Sequence, residues 1–327
     1  MRNHLCIVAG LFLSATLAQA ETPVLTVYTY DSFTAEWGPG PLIETVFEGQ
    51  CACDLQFVSS GDGAALLSRL LLEGTGTPAD VVLGLDTNLT AKALASGLFA
   101  PHGLTPVLNL PVTWADDTFL PYDWGWFAFV GNVGGQMPRN FRELADSNLT
   151  IVIEDPRSST PGLGLMLWVK LAYGDQAADI WAKLADNIVT VTPGWSEAYG
   201  LFLAGEADLV LSYTTSPAYH LIAESDATKL VLPFDEGHYL QVEVAARLAG
   251  TDVPELADQF MAFILSDAFQ SVIPTTNWMY PAVTPAEGLP EGFATLVQPE
   301  KTLFLSSTEA AAMREGALEE WRDVLSH

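Results

Sequence analysis

The chain has 327 residues, of which 49% are hydrophobic and 10% aromatic, and its formal net charge is −27 at pH 7. This composition is typical of a globular protein, and the charge argues against nucleic acids and anionic membranes as partners. The length exceeds what a single core usually organises, so two lobes are expected. A well-solvated or salt-adapted surface accounts for most of the charge, which is also compatible with a cationic ligand.

Residues 1–20 predict a cleavable signal peptide. A short basic region at Arg2 precedes the apolar segment 5–17, and Ala18-Gln19-Ala20 supplies the small residues that a signal peptidase recognises. Cleavage near Ala20 predicts an exported protein. No later apolar run approaches the roughly 18 residues needed to cross a bilayer, and no cysteine follows the cleavage site, so neither a membrane span nor a lipid anchor is expected.

Strand and helix patterns alternate through the next hundred residues. Strands are predicted at 24–30, 55–59 and 79–85, and helices at 42–47, 64–72 and 89–98. This alternation predicts an α/β fold with a mostly parallel sheet and helices on both of its faces.

Cys51 and Cys53 are the two cysteines that remain after cleavage, since Cys6 lies in the signal peptide. An exported pair suggests a disulfide, but a bridge between residues two apart closes a small, strained ring. Extended backbone would place both thiols on one face, so a local bridge with a structural role remains open. No second cysteine pair or histidine lies at ligand spacing, so no metal site is expected.

Two long extended segments, 119–130 and 238–246, interrupt the alternation and are interpreted as strands that cross between the lobes and act as a hinge. The first lobe is then discontinuous, formed by 21–120 and 245–327, and the second lobe spans 121–244. Two sequential domains are the alternative. The second lobe and the returning segment contain predicted helices at 141–145, 163–173, 176–184, 196–204, 256–265 and 310–325, and predicted strands at 150–154, 188–192 and 209–212.

Polar and aromatic residues follow several of these strands, and ligands of α/β proteins gather beyond the carboxyl ends of parallel strands. The segments 29–32, 59–63, 155–162, 193–196 and 212–219 therefore predict a cleft between the lobes, with Trp278 nearby. Ser159 and Thr160 open a helix, where free N–H groups stabilise anions, although simple capping explains them too. Asp62 lies between two glycines, where a turn carboxylate is the alternative to a ligand contact.

Trp195 and Tyr213 are candidate ring contacts. Each lies at the edge of an apolar run beside Gly or Thr rather than on a helical stripe, although core packing is the usual fate of an aromatic side chain. Aromatic faces favour a flat or cationic ligand.

At these positions the chain resembles the periplasmic thiamine-binding proteins of ABC importers. The resemblance rests on the runs 26–33, 79–86, 155–164, 194–200 and 213–220, and it continues through 237–247 to Trp278. It implies an α/β periplasmic-binding-protein type II fold, whose two lobes close on thiamine or its monophosphate or diphosphate. It also implies a periplasmic location and delivery to a membrane permease with its ATPase subunit, with thiamine as transported ligand and no cofactor.

The resemblance assigns roles to individual residues. Asp62 and Gly63 would meet the aminopyrimidine, and Trp195 and Tyr213 would pack against the rings. Ser159, Thr160 and the run Thr214-Thr215-Ser216 would receive the hydroxyethyl or phosphate end. Tyr30, Tyr219 and Trp278 are further ligand contacts by the same resemblance.

Two other functions are weighed against this one. Ferric-ion-binding proteins share the architecture but coordinate iron through adjacent tyrosines, whereas Tyr213 and Tyr219 are six residues apart, so His220 is expected to be supporting or structural. Another small cation is a related alternative. A hydrolase is disfavoured because the segment 194–198 has Ala198 where a nucleophile elbow needs glycine, and no enzymatic activity is expected.

Overall fold

The structure is a computed structural model that describes residues 22–325. The predicted signal peptide and its cleavage site near Ala20 lie outside these residues. Within the described range, none of the helices is both long and apolar enough to cross a membrane. The strands of residues 22–325 are β1 (Val24–Thr29), β2 (Asp54–Ser59), β3 (Val81–Asp86), β4 (Phe99–Ala100), β5 (Leu120–Asn132), β6 (Ile151–Glu154), β7 (Ile188–Thr192), β8 (Leu209–Tyr213), β9 (Lys229–Val231), β10 (His238–Leu248), β11 (Tyr280–Pro281) and β12 (Thr302–Leu303).

Helices separate most of these strands, as the alternating sequence pattern predicts. Three short 3₁₀ helices lie at Gly74–Gly76, Gly174–Gln176 and Glu291–Thr295. The α-helices of the described residues are α1 (Asp31–Thr34), α2 (Gly40–Cys51), α3 (Gly63–Glu73), α4 (Thr87–Ala95), α5 (Phe141–Ala145), α6 (Thr160–Tyr173), α7 (Ala177–Leu184), α8 (Trp195–Leu203), α9 (Pro217–Ala223), α10 (Pro254–Ile264), α11 (Asp267–Gln270), α12 (Ile273–Thr276) and α13 (Ser307–Leu325).

The strands form one curled sheet in the order β2-β1-β3-β10-β5-β8-β6-β7, and β4, β9, β11 and β12 pair outside this path. Two parallel groups, β2-β1-β3 and β8-β6-β7, lie at its ends. Between them β5 and β10 run antiparallel to their neighbours. The predicted α/β fold is confirmed: parallel strands form two groups, and long strands cross between them.

The crossing strand β5 is long because it continues through both halves of the sheet. β5 pairs with β10 over its first residues and with β8 and β9 over its last ones. Twelve of its thirteen residues are buried, which fits a strand covered on both faces. The segment is apolar because both faces of the strand are buried, which would not hold for a surface loop.

The carboxyl-terminal helix α13 contacts α4, α6 and α7. An ion pair between Lys170 Nζ and Glu320 Oε2, 2.8 Å apart, joins α6 to α13. The helix therefore packs against helices that follow strands of both parallel groups.

A disulfide joins Cys51 and Cys53, whose Cα atoms are 5.2 Å apart. The backbone between them is not extended, because Cys51 ends α2 and Ala52 adopts the left-handed conformation with φ of 52°. This turn brings the two thiols together before β2 begins.

Candidate functional site

A cleft of about 530 Å³ opens at the carboxyl ends of the strands, within the usual size range of small-molecule sites. Its lining includes the first residues of α3, α6 and α8 and the segments after β1 and β8. The parallel strands direct these segments to one place, as the sequence predicts. The predicted ligand residues that line the cleft are Tyr30, Asp62, Gly63, Thr160, Trp195, Tyr213, Ser216, Tyr219 and Trp278.

Three predicted residues, Ser159, Thr214 and Thr215, do not line the cleft and are completely buried. Ser159 Oγ donates to Asp62 Oδ2 at 2.8 Å and accepts the N–H of Gly162, so it caps α6. Thr214 N–H donates to the Trp126 carbonyl at 2.9 Å, which keeps the chain against β5 for one residue beyond β8. Thr215 Oγ1 lies 3.8 Å from Met279 Sδ, in the packed interior.

Asp62 connects three helix N-termini across the cleft. Its Oδ2 accepts from Ser159 Oγ and, at 3.0 Å, from the backbone N–H of Trp195, the first residue of α8. Gly63 N–H donates to Thr160 Oγ1 at 3.1 Å beside this contact. Burial raises the pKa of Asp62 to about 6 despite the hydrogen bonds, which favour the ionised form.

Gly63 must be glycine for this approach. A Cβ there would lie 2.5 Å from both the Gly84 carbonyl oxygen and Thr160 Oγ1. Gly84 itself has φ of 111°, and the ring of Tyr30 occupies the space that its side chain would need. The two glycines thus allow α3, β3 and α6 to meet closely at one end of the cleft.

Aromatic rings form two walls of the cleft. Trp195 stacks on Tyr199 with centroids 5.0 Å apart, and Trp37 lies 6.4 Å from Trp195. The indole N–H of Trp195 donates to Ser212 Oγ at 2.8 Å, which fixes the ring. A flat ligand between these rings would gain dispersion and cation–π stabilisation.

The second wall contains Trp278, which meets Tyr219 edge-on at 5.3 Å. Trp278 has a left-handed backbone with φ of 57°, an unfavourable conformation for a bulky residue. Its N–H donates to the Ile273 carbonyl, which holds this turn after α12. Such strain is typical of residues positioned for function.

The cleft is acidic. Asp62 and Glu243 lie in its lining. Glu154 is 1% exposed, and both of its carboxyl oxygens lack a partner among the described residues. Burial and the nearby charge of Asp62 raise the pKa of Glu154 well above its ordinary value. No lysine or arginine occurs in the lining formed by residues 22–325. This lining favours ligands that carry a positive charge.

The sequence patterns do not indicate several of the lining residues, which include Trp37, Tyr199, Glu243 and Asn277. Tyr199 follows Trp195 by four residues on α8, a spacing that places both on one helical face and offered a usable signal. Glu243 lies within the strand predicted as a hinge, so its position in the cleft depends on strand register. The exposed Trp37 follows α1 without any periodic pattern.

His220 supports the first wall from behind. Its Nε2 lies 2.9 Å from the Tyr199 hydroxyl and its Nδ1 lies 2.7 Å from Glu224 Oε2. His220, Glu224 and Asp226 form the one group within residues 22–325 whose spacing suits a metal, but both ring nitrogens of His220 already have partners. Tyr213 and Tyr219 direct their hydroxyls to Gln241 and Glu224 respectively, so they do not converge on a common ion.

The fold and this cleft define a solute-binding protein of the periplasmic-binding-protein type II class. The family model of the bacterial extracellular solute-binding proteins matches residues 44–275. The thiamine-binding periplasmic protein of Escherichia coli (strain K12) is 52% identical over 97% of this chain and 98% of its own length. That of Brucella melitensis is 50% identical over 94% of this chain and 93% of its own length.

A solved structure titled periplasmic thiamin binding protein agrees with these relatives. It superposes with a TM-score of 0.92 at 51% identity and covers 97% of this chain and 100% of its own. The chain therefore belongs to the bacterial extracellular solute-binding proteins and, within them, to the family of thiamine-binding periplasmic proteins.

Proposed function

We propose that this protein binds thiamine in the periplasm and delivers it to an ABC importer composed of a membrane permease and an ATPase subunit. The observation that carries the proposal is the cleft, which combines aromatic walls with buried carboxylates and has no basic residue in its described lining. Membership of the thiamine-binding family supports the same ligand.

Thiamine suits this chemistry because its thiazolium ring is flat and permanently positive. Trp195 and Tyr199 offer stacked faces on one wall, and Tyr219 and Trp278 offer a second wall. Cation–π contacts are worth about 0.5–2 kcal/mol each, depending on how fully the site excludes water. Asp62 and Glu243 supply acidic groups in the lining of the same cleft.

Thiamine monophosphate and diphosphate are proposed as further ligands. The hydroxyls of Thr160 and Ser216 line the cleft, as does Ser196 in the first turn of α8. Helix N-termini stabilise phosphate through free N–H groups and the helix dipole. The anionic tail would then lie at the α6 and α8 end of the cleft, away from Glu243.

The proposed function is binding and transport, with neither catalysis nor a cofactor. Ferric ion is the main alternative ligand. The separate hydrogen-bond partners of Tyr213 and Tyr219 argue against it, because a tyrosine-coordinated iron needs both phenolates on one ion.

The proposed lobes are 21–120 with 245–327, and 121–244, after removal of a signal peptide near Ala20. The pairing pattern supports this division, since β5 and β10 are the strands that connect the two parallel groups. Rotation about these strands would open the cleft for ligand entry.

Thermal unfolding and calorimetry of the mature protein test the function. Thiamine at about 100 times its dissociation constant would stabilise the protein by about 2.7 kcal/mol, which raises the melting temperature by several degrees. Free aminopyrimidine, free thiazole and ferric citrate are the controls. A shift with the controls alone, or a tyrosinate-to-iron absorption band, would refute the proposal.

A further inference from the structure

Three carboxylates lie side by side across the middle of the sheet. Glu243 on β10 is directly opposite Asp86 on β3, and on its other side it is directly opposite Asp123 on β5. Side chains in such registers share one face of the sheet at about 5 Å spacing. Asp86 and Asp123 are completely buried, and Glu243 is 7% exposed at the cleft. We call Asp86, Glu243 and Asp123 the acid row.

The central member, Glu243, accepts hydrogen bonds from three side chains. Glu243 Oε2 accepts from the hydroxyls of Tyr30, at 3.0 Å, and Tyr122, while Oε1 accepts from Gln241 Nε2 at 2.6 Å. Three donors prepare Glu243 to carry a negative charge.

Asp123 has fewer hydrogen-bond donors than Glu243. Its Oδ2 accepts from Asn277 Nδ2 at 2.6 Å, but its buried Oδ1 has no partner among the described residues. Asp86 accepts from both nitrogens of Asn88. A backbone hydrogen bond from Leu89 also lowers the pKa of Asp86. Asp123 is therefore the member of the row with the fewest donors.

Little positive charge faces the row. Arg314 from α13, which is half-buried, acts on Asp86. The other titratable groups that act on Glu243 or its neighbours are Tyr30, Tyr122 and Asp62, and Tyr213 reaches Glu243 through Gln241. Burial raises the pKa of Asp86 and of Glu243 to about 7, and that of Asp123 well above its ordinary value. Near neutral pH the row therefore retains at least one proton while the cleft is empty.

We propose that Glu243 is the carboxylate that selects the permanent positive charge of the ligand, and that entry of this charge displaces one proton from the acid row to solvent. The inference rests on the proposed function. In this step one carboxylic O–H bond breaks, its electron pair stays on the oxygen, and the proton passes to the buffer. The arriving thiazolium replaces the lost positive charge, so the net charge of the buried site is unchanged.

Selectivity follows from this exchange. A neutral ring of the same shape cannot compensate the new carboxylate, so it leaves the proton in place and gains nothing from Glu243. A cation binds the ionised row more tightly than the protonated row. Its affinity should therefore rise with pH up to about 7 and level off above it, with one proton released over the rising part.

Isothermal titration calorimetry of the mature protein with thiamine at pH 7.0 measures the released proton. The same titration in three buffers with different ionisation enthalpies should show a release between half a proton and one proton per bound thiamine. A thiamine isostere with a neutral thiophene in place of the thiazolium is the matched ligand. It keeps the aminopyrimidine, so any titration of that ring appears with both ligands and can be subtracted.

Glu243→Gln preserves shape and removes the charge. It should weaken thiamine binding by about 10- to 100-fold, flatten the pH profile and abolish proton release, while binding of the thiophene isostere changes less than threefold. Glu255→Gln, an exposed change on α10, is the matched control. It should leave thiamine affinity, the pH profile and proton release unchanged. Circular dichroism checks that both variants fold.

The outcomes separate the two proposals. If thiamine binds without buffer-dependent heat in the wild-type protein, the inference is wrong and the thiamine function stands. If Glu243→Gln folds and still releases a proton, Glu243 is not the selecting carboxylate. If the folded wild-type protein binds no thiamine, the proposed function itself fails. The wild-type buffer series remains decisive even if the variant does not fold.

Discussion

The carboxylate of Asp62 lies at the N-terminus of the helix that Trp195 begins, and it accepts the Trp195 backbone N–H at 3.0 Å. The same oxygen accepts from Ser159, the N-cap of α6. Asp62 therefore occupies the position between two helix N-termini where an anionic ligand group would be most stable. Asp62 and Trp195 are 133 positions apart in sequence. Asp62 also contributes negative charge at the proposed phosphate end of the cleft.

Asp62→Asn should change the preference among thiamine forms. Loss of the charge weakens the contacts to Ser159 and Trp195, and hydrogen bonds to charged groups contribute about 1.5–3 kcal/mol each. We expect thiamine affinity to fall at least tenfold. The diphosphate should lose less, because a like charge near its tail is removed. Calorimetry with thiamine and thiamine diphosphate gives the ratio of the two dissociation constants.

The exposed Asp252→Asn is the control for this variant and should bind both ligands like the wild type. An unchanged ratio in Asp62→Asn, with thiamine and diphosphate weakened equally, would show that Asp62 acts on lobe contact alone. Affinity at the wild-type level for both ligands would remove Asp62 from the site.

Trp195→Ala should weaken thiamine and both phosphates to a similar extent. The ring stacks on Tyr199 and faces the cleft, so every form of the ligand loses the same aromatic surface. Loss of such an aromatic contact should lower the affinity by about 10- to 100-fold. Trp195→Phe keeps an aromatic ring and should recover part of this loss. Calorimetry on all three ligands is the measurement, with the exposed Leu72→Ala as control. A loss confined to phosphorylated ligands would contradict the assignment of this ring.

The elements of this fold could be predicted from sequence because their patterns are local. The long run 119–130 predicts β5, which extends from Leu120 to Asn132, and 238–246 predicts β10, which extends from His238 to Leu248. The sequence patterns do not predict short elements such as β4, β11 and α9. Each has too few residues to show a period, and α9 follows directly on a segment interpreted as part of the cleft.

The site could be predicted only in part because it depends on distant pairings. Tyr213 and Ser216 line the cleft, whereas Thr214 and Thr215 between them are buried, and this division follows from how the chain leaves β8 against β5. Glu243 becomes a neighbour of Asp123 only through the register of two strands about 120 residues apart. No spacing along the chain reveals such a contact.

The ligand-free protein should become more stable as the pH falls from 8 to 6.5. Asp86 and Glu243 have a folded-state pKa of about 7, well above the unfolded values near 4, so the folded state binds more protons in this range. Proton binding that favours the folded state raises the free energy of unfolding as pH decreases. His102 and His238, whose pKa is lowered by burial, oppose this trend below about 6.5.

Calorimetric melting in steps of half a pH unit checks this dependence. Asp86→Asn and Glu243→Gln should each flatten the rise, because each removes one of the groups that gains a proton. The exposed Glu255→Gln should retain it. A melting temperature that decreases throughout the range from pH 8 to 6.5 would show that the buried acids do not govern stability there.

Replacement of both Cys51 and Cys53 by serine should reduce stability without changing thiamine affinity. The bridge closes a very short loop, for which the loss of chain entropy in the unfolded state corresponds to about 1–2 kcal/mol. It fixes the turn between α2 and β2, and neither cysteine lines the cleft. Denaturant unfolding of the variant and of the reduced wild type should give the same decrease, and calorimetry should give unaltered thiamine binding. Weaker binding in a folded variant would mean that this turn positions α2 and the segment before it, including Trp37, for the ligand.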